Sequence, residues 1–291
     1  MCDLGVGMSY CDDFLSPLEQ ATLVAAIDAV PAEDWAALPK RRLLNLGGVP
    51  HPSGTWTEAM PHAITGLAVE RLVALGCFPA SAPPNQVLLN EYARGAGIEP
   101  HGDGPLYLPT ACIVSLESTA VIDFWQPAPT PAAPPASSEA GGSGGEGANE
   151  TAAPPPTPPE EESQLPAKVT AAASLVLVRS VLLRPGSCLC FTGEHAYAVL
   201  KHGIASTEAD ALGSQVANLG AIKGRAGAAV TTTSCYSVGG KLPRGPRRLS
   251  LTLRRLARVE RHIDEFDVLS DEDERERRRR QGWWLRSISE K

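Results

Sequence analysis

RLSLTLRR, residues 248–255, sets leucine against an arginine or a hydroxyl residue at almost every step. Successive side chains of an extended chain point to opposite faces, so Arg248, Ser250, Thr252 and Arg254 share one face while Leu249, Leu251 and Leu253 share the other. The stretch reads as a strand. Were the leucine face alone covered, it would be an ordinary amphipathic edge. Were both faces covered by other layers, two arginines would stand inside the protein, where a guanidinium needs anionic partners to offset its lost hydration. A small dicarboxylate would meet that need, because guanidinium binds carboxylate in a bidentate manner.

The same short-period or continuous apolar pattern recurs at 86–92 (QVLLNEY), 111–117, 120–125, 174–183, 187–192 and 231–238. Many short strands with no helix between them predict a mainly β fold, an antiparallel sandwich or jelly roll. Two helices precede them and are expected to pack outside. Ser16-Pro17-Leu18-Glu19 is a capping box with proline at the first helical position, followed by Leu23, Val24, Ile27 and Val30 at helical spacing. A second helix is expected from Pro61, with Ile64, Leu67, Leu72 and Leu75 on one side and Gly76 as its stop.

Residues 126–168 break the strand run. They hold 11 of the 26 prolines, and six Glu against one Lys, five of the chain's net −7 charges. A segment so poor in large apolar residues cannot bury enough surface to offset the entropy of ordering, and reads as a disordered insertion whose two ends lie close in space. The remainder is near neutral, which argues against a generally basic nucleic-acid binder. Seven cysteines without a CxxC pair suggest neither a disulfide framework nor a zinc pattern, but reduced thiols of the cytoplasm or nucleus. No segment approaches the apolar length of a membrane span, and a soluble monomer is expected. Residues 260–291 read as a charged C-terminal tail, with a short solvated helix capped at Ser270 and an arginine run whose alternative reading is a nuclear address.

The chemistry-bearing residues begin with EPHGDGPLY, residues 99–107. On a strand end, His101 and Asp103 project to the same side, presenting an imidazole and a carboxylate to one point. Two histidines and one carboxylate on one face of a metal is the arrangement of non-heme Fe(II) oxygenases. For the third ligand, His202 at a strand end competes with His195; His51, His62 and His262 sit in a loop, a helix and the tail. Asn90 and Tyr92, again two apart, offer neutral hydrogen bonds to an anion held by the arginines.

NEYARGAGIEPHGDGPLY, AYAVLKHGI and RRLSLTLRR, in that order, resemble the signature blocks of the AlkB-type Fe(II)/2-oxoglutarate dioxygenases. The likeness runs from about Tyr10 to Val259 with the insertion excluded, and PLYLPTACIVSLESTAVIDFW looks most like the AlkB homologue six branch. The resemblance implies a double-stranded β-helix core over 86–125 and 169–259, after an N-terminal region, 1–85, of helices and a nucleotide-recognition-lid-like loop. It implies Fe(2+) held by His101, Asp103 and His202, with 2-oxoglutarate contacted by Asn90, Tyr92, Arg248, Ser250 and Arg254, and molecular oxygen as oxidant. Arg248 would meet the distal carboxylate and Arg254 would help near the other end. The family's block has Asn where this chain has Ser250, whose shorter side chain puts a direct cosubstrate contact there in question. Residues 41–60 occupy the place of the family's lid, where Arg41, Arg42 and Trp56 could contact phosphate or stack on a base, with Tyr107 at the entrance; the alternative is a surface loop with one packed tryptophan. The implied reaction is oxidative demethylation of N-methylated nucleobases in RNA or in single-stranded or flipped-out DNA. The alternatives are a protein hydroxylase or demethylase of the same chemistry and a non-catalytic reader of methylated RNA.

Overall fold

The computed structural model describes residues 1–128, 174–223, 236–263 and 268–289. The chain divides into one unit of Met1–Gln126 with Val176–Lys291 and a second of Pro127–Leu175. Most of the expected insertion lies outside the described residues. At the two ends of the second unit, the Ala128 amide donates to the Ser174 carbonyl at 2.7 Å, so those ends are close.

The leucine–arginine stretch lies in the interior of the larger unit's main sheet. Arg247–Leu256 runs antiparallel between Tyr107–Leu116 and Gln86–Ala93, with Arg248 opposite Tyr92, Ser250 opposite both Asn90 and Ser115, and Arg254 opposite Gln86 and Ala111. The eight-stranded sheet continues through Cys188–Thr192 to the hairpin Cys2–Gly5/Met8–Cys11 on one side, and through Arg41–Leu46 to Ala36–Leu38 on the other. A four-stranded sheet, in the order Leu175–Leu183, Ala120–Pro127, Lys201–Ile204 and Ile98–His101, faces it. The architecture is mainly antiparallel β, a jelly-roll sandwich with helices on one outer face.

The two faces of the central strand meet different layers. Leu249, Leu251 and Leu253 are fully buried against the two N-terminal helices, in a cluster with Leu23, Ile27, Ile64 and Leu72. Each such leucine contributes about 1.5–3 kcal/mol by burial. On the opposite side, Phe124, Phe191, Ile113 and Ile122 fill the space between the sheets. Arg248, Ser250, Thr252 and Arg254 are also buried, so the amphipathic-edge reading is excluded and both faces are interior.

The first helix is Pro17–Asp28, and its capping box forms as read: Ser16 Oγ accepts from the Glu19 amide and Glu19 Oε2 accepts from the Ser16 amide. The second begins at His62 and ends after Ala74, but it is widened by a turn over Thr65–Val69, where the Glu70 amide reaches back five residues to the Thr65 carbonyl. That extra residue per turn shifts the helix's buried side onto Ala68 and Val69, and Leu75, expected inside, is exposed.

Three expectations need correction. Residues 41–60 are not loop throughout: Arg41–Leu46 is a strand of the main sheet, Thr55–Glu58 pairs in parallel with Val259–Ile263, and only the connection between them, with Pro50 and Pro52, is a loop beside the site. Their strands were hidden because short and partly polar segments carry little periodicity. Residues 260–291 hold the expected helix, Asp271–Ser289 with Ser270 Oγ accepting from the Asp273 amide, but it is not a solvated tail: it follows that strand, and Trp284 is buried. Its buried Arg280 bridges to Glu260 and Glu276, while Arg277 pairs with Glu58 and Arg261 with Asp273. Charges that looked solvated in sequence are partnered across elements. Finally, the strand expected at 231–238 falls mostly outside the described residues, and its described end, 236–238, is not part of a ladder.

Candidate metal and anion site

His101 ends the Ile98–His101 strand and lies directly opposite His202 of Lys201–Ile204. Antiparallel pairing therefore brings the histidines together from positions far apart in sequence, with ring centroids 4.6 Å apart. The strands approach so closely that a Cβ on Gly203 would meet the Ile98 carbonyl at 2.8 Å, the physical reason for glycine after the histidine. Asp103 follows two residues after His101, and the adjoining Gly104 turns with a φ of +92°, a conformation glycine tolerates. One ligand atom from each of His101, Asp103 and His202 lies within 4.8 Å of the others. His195 is exposed on the Glu194–Val199 turn and takes no part in this cluster.

The donor set suits a divalent metal. His101 Nδ1 is 2.9 Å from the Glu99 carbonyl, which can only accept, so the proton sits on Nδ1 and Nε2 keeps its lone pair. Burial, then the neighbouring His202, holds the His101 imidazole down to about 4; burial likewise lowers His202, which packs against Phe124 and Phe191. Both rings are neutral at physiological pH, the form that ligates. Asp103 accepts from Arg254 Nη1 at 2.7 Å in an ion pair with both side chains buried. Arg254 is fixed in turn by its Nε bond to Gln86 Oε1 and by lying 4.0 Å over the Tyr107 ring. The arginine orients the carboxylate and compensates its charge.

Arg248 occupies the other end of the same strand face under different conditions. It is buried, its Nη2 donates to Ser115 Oγ at 2.8 Å, and it lies 5.6 Å over the Tyr92 ring. Among the described residues no carboxylate pairs with it, and its buried Nε has no hydrogen-bond partner. Burial lowers its pKa to about 10, still cationic at neutral pH. Asn90 Oδ1 is also buried without a partner. A cavity of about 380 Å³ joins these groups to the histidine–aspartate cluster, lined by Asn90, Tyr92, His101, Asp103, Tyr107, His202, Arg248, Ser250 and Arg254. All five positions expected to touch the cosubstrate line one space, Ser250 included.

The expected substrate contacts divide. Arg41 and Tyr107 line the cavity. Arg42 does not: it forms a bidentate pair with Glu91 and lies 4.2 Å over the Trp35 ring. Trp56 does not either, because its ring is held between Arg261 and Arg280 and its Nε1 donates to Glu260. Since Arg41 and Arg42 are neighbours on a strand, only one of them can face the cavity. Sequence reasoning missed Trp283, Trp284 and Ser287 of the C-terminal helix, which with Pro50 and Pro52 complete the wall; Trp283 meets His51 edge-on at 5.1 Å. The signal was the WW pair itself, two large apolar residues in a helix otherwise dominated by charge.

The family model for the 2OG-Fe(II) oxygenase superfamily matches residues 35–254. A protein of Danio rerio named as the probable RNA/DNA demethylase ALKBH6 is 41% identical over 118 residues, 40% of this chain and 50% of that protein. The chain thus spans about half the length of that curated relative. Among solved structures, OsALKBH1 has a TM-score of 0.44 at 15% identity, covering 85% of this chain and 97% of its own. A Pseudomonas putida prolyl-4-hydroxylase has a TM-score of 0.38 at 12% identity, covering 87% and 93%.

Proposed function

We propose that this chain, which belongs to the 2OG-Fe(II) oxygenase superfamily through a match over residues 35–254, is a dioxygenase that removes methyl groups from nucleobase nitrogens of RNA or of single-stranded or flipped-out DNA. Enzymes of this superfamily use Fe(2+), 2-oxoglutarate and molecular oxygen. The observation that carries the reading is Arg248: a buried guanidinium without a carboxylate among the described residues, in the cavity that also receives His101, Asp103 and His202. An uncompensated interior charge is costly, and a dicarboxylate cosubstrate supplies the missing anion.

His101, Asp103 and His202 would hold the iron, and Arg248 with Asn90 and Tyr92 would hold the far carboxylate of 2-oxoglutarate. When bound, iron and cosubstrate supply the oxidation, converting 2-oxoglutarate and oxygen to succinate and carbon dioxide as a substrate C–H bond is hydroxylated. The protein's part is positional. Arg254 fixes the Asp103 carboxylate, and the Glu99 carbonyl fixes the His101 tautomer. Tyr197 donates to the Gly104 carbonyl at 3.3 Å and steadies the turn beyond Asp103. Pro50, Pro52, Leu106 and Trp284 add apolar surface to the cavity lining. A hydroxylated N-methyl group falls apart to formaldehyde and the bare nitrogen without further help. Nucleobase substrates are supported by the Danio rerio relative and by a cavity of a volume common for small-molecule sites, into which a base enters only when unstacked.

The test is a panel of N-methylated oligonucleotides and methylated peptides scored by formaldehyde and succinate release. At least one oligonucleotide should release formaldehyde in an Fe(II)- and 2-oxoglutarate-dependent manner, and the His101→Ala protein should release none and lose bound iron. Release from peptides alone would assign a protein substrate. A folded chain that binds no iron would exclude the oxygenase.

A further inference from the structure

Cysteine is distributed unequally between the two cores. Cys112, Cys188 and Cys190 are buried in the cluster under the N-terminal helices, with Cys11 and Cys77 packed against it, whereas the cluster between the sheets contains none among the described residues. Cys2 is exposed, and Cys235 lies outside the described residues. Buried cysteine often acts as no more than a small apolar filler, but filler has no reason to gather on one face. Here it gathers to contact: the sulfur atoms of Cys77, Cys112 and Cys190 lie within 4.8 Å of one another.

The three come from three elements. Cys112 and Cys190 are directly opposite in the ladder between Tyr107–Leu116 and Cys188–Thr192. Cys77 follows the second helix, where Gly76 turns at a φ of +73°, the Gly76 amide bonds to the Val73 carbonyl and the Cys77 amide to the Leu72 carbonyl. This helix-ending motif normally aims an apolar residue back at the helix and its packing partners, and here it aims a thiol at two others. Cys77 alone of the three is partly exposed. Hydrogen bonds from Cys112 and then Cys190 lower its pKa, while burial raises that of Cys112.

We propose that Cys77, Cys112 and Cys190 form a peroxide-responsive thiol switch, in which Cys77 is oxidised first and then closes a disulfide onto the Cys112–Cys190 pair. A sulfur that is partly exposed, acidic and next to a resolving thiol is the reactive arrangement. The Cys77 thiolate attacks one oxygen of hydrogen peroxide, the O–O bond breaks, and the departing hydroxide takes a proton to become water. A neighbouring sulfur then attacks the Cys77 sulfenic acid, the S–S bond forms, the S–O bond breaks and a second water leaves. Two thiols and one peroxide yield one disulfide and two waters. A metal held by the same sulfurs would leave net negative charge among apolar neighbours, whereas a disulfide is neutral there. Cys112 and Cys190 are fixed by their ladder, so the closing movement falls to Cys77 in its turn.

The test treats the full chain, kept iron-free by chelation, with a small excess of hydrogen peroxide, alkylates the remaining thiols and maps unreduced peptides by mass spectrometry. The expected product links Cys77 to Cys112 or Cys190 with the loss of two hydrogens, forms before Cys2 is oxidised, and does not form in urea. Cys77→Ser should leave Cys112 and Cys190 reduced. A linked peptide without Cys77, or a Cys77 that advances to sulfinic acid while the other two remain thiols, would overturn the proposal. The unmodified chain gives a second readout that no folding defect can confuse: alkylation of Cys77 should reach half its maximal rate at a pH below that of an ordinary thiol, and a profile in the ordinary range would equally exclude it.

Discussion

Arg248 and Arg254 share one face of one strand, six residues apart and both buried, yet their surroundings are opposite. Arg254 has its anion within the protein, the Asp103 carboxylate, together with Gln86 and the Tyr107 ring. Arg248 has a serine hydroxyl, an aromatic face and, among the described residues, no anion. The first arginine completes a structure, while the second is left for something that arrives. Burial alone therefore does not separate a structural charge from a binding one; the location of its counter-charge does.

The largest expected effect breaks the structural end. Arg254→Met leaves the buried Asp103 carboxylate without its guanidinium and should cost about 3–5 kcal/mol of stability, measured by urea unfolding of the metal-free protein. Arg248→Met should cost nothing by the same measurement or raise the melting temperature. Equal losses in the two variants would erase the distinction. The binding end responds in a different quantity: Arg248→Met should raise KM for 2-oxoglutarate on the order of 10–100-fold, as expected for a charge-assisted hydrogen bond worth about 1.5–3 kcal/mol. Smaller still is the wall. Trp283→Ala should weaken oligonucleotide binding about tenfold if a base stacks there, while KM for 2-oxoglutarate stays unchanged. Smallest is Arg42→Ala, whose partly exposed pair with Glu91 lies outside the cavity: stability should fall by no more than about 1 kcal/mol and neither KM should move.

The cavity floor was legible because strand periodicity and i, i+2 spacing are short-range rules. His101 and Asp103, Asn90 and Tyr92, and Arg248, Ser250 and Arg254 could each be placed on a common face without knowledge of the fold. The choice of His202 over His195 came from the family resemblance and not from spacing, and the ladder supplies its physical reason, since His202 stands opposite His101. The roof was illegible because it depends on such long-range pairing. Trp283 reaches the cavity because Val259–Ile263 pairs in parallel with Thr55–Glu58 and sets the following helix beside the Pro50–Pro52 loop. No local pattern announces a pairing across some 200 residues. The turn over Thr65–Val69 misled in a smaller way: Leu72 beyond it is buried as expected, while Ala68 and Val69 join the buried side and Leu75 leaves it. The cysteines show the converse case: spacing along the chain gave no cluster, and the cluster exists only in three dimensions.

The central strand also sets where this protein tolerates changes in length. Arg247–Leu256 pairs on both edges and is buried on both faces, so removing one residue before Arg248 would exchange the faces downstream, turning leucines into the cavity and arginines into the apolar layer. Nothing beside it could absorb the slip. Ala128 and Ser174 are hydrogen-bonded to each other, and closure entropy changes slowly with loop length, so dozens of residues gained or lost between those two positions should leave the site's activity unchanged. Point changes and length changes thus have separate territories: the strand can trade one side chain for another, but its frame is fixed.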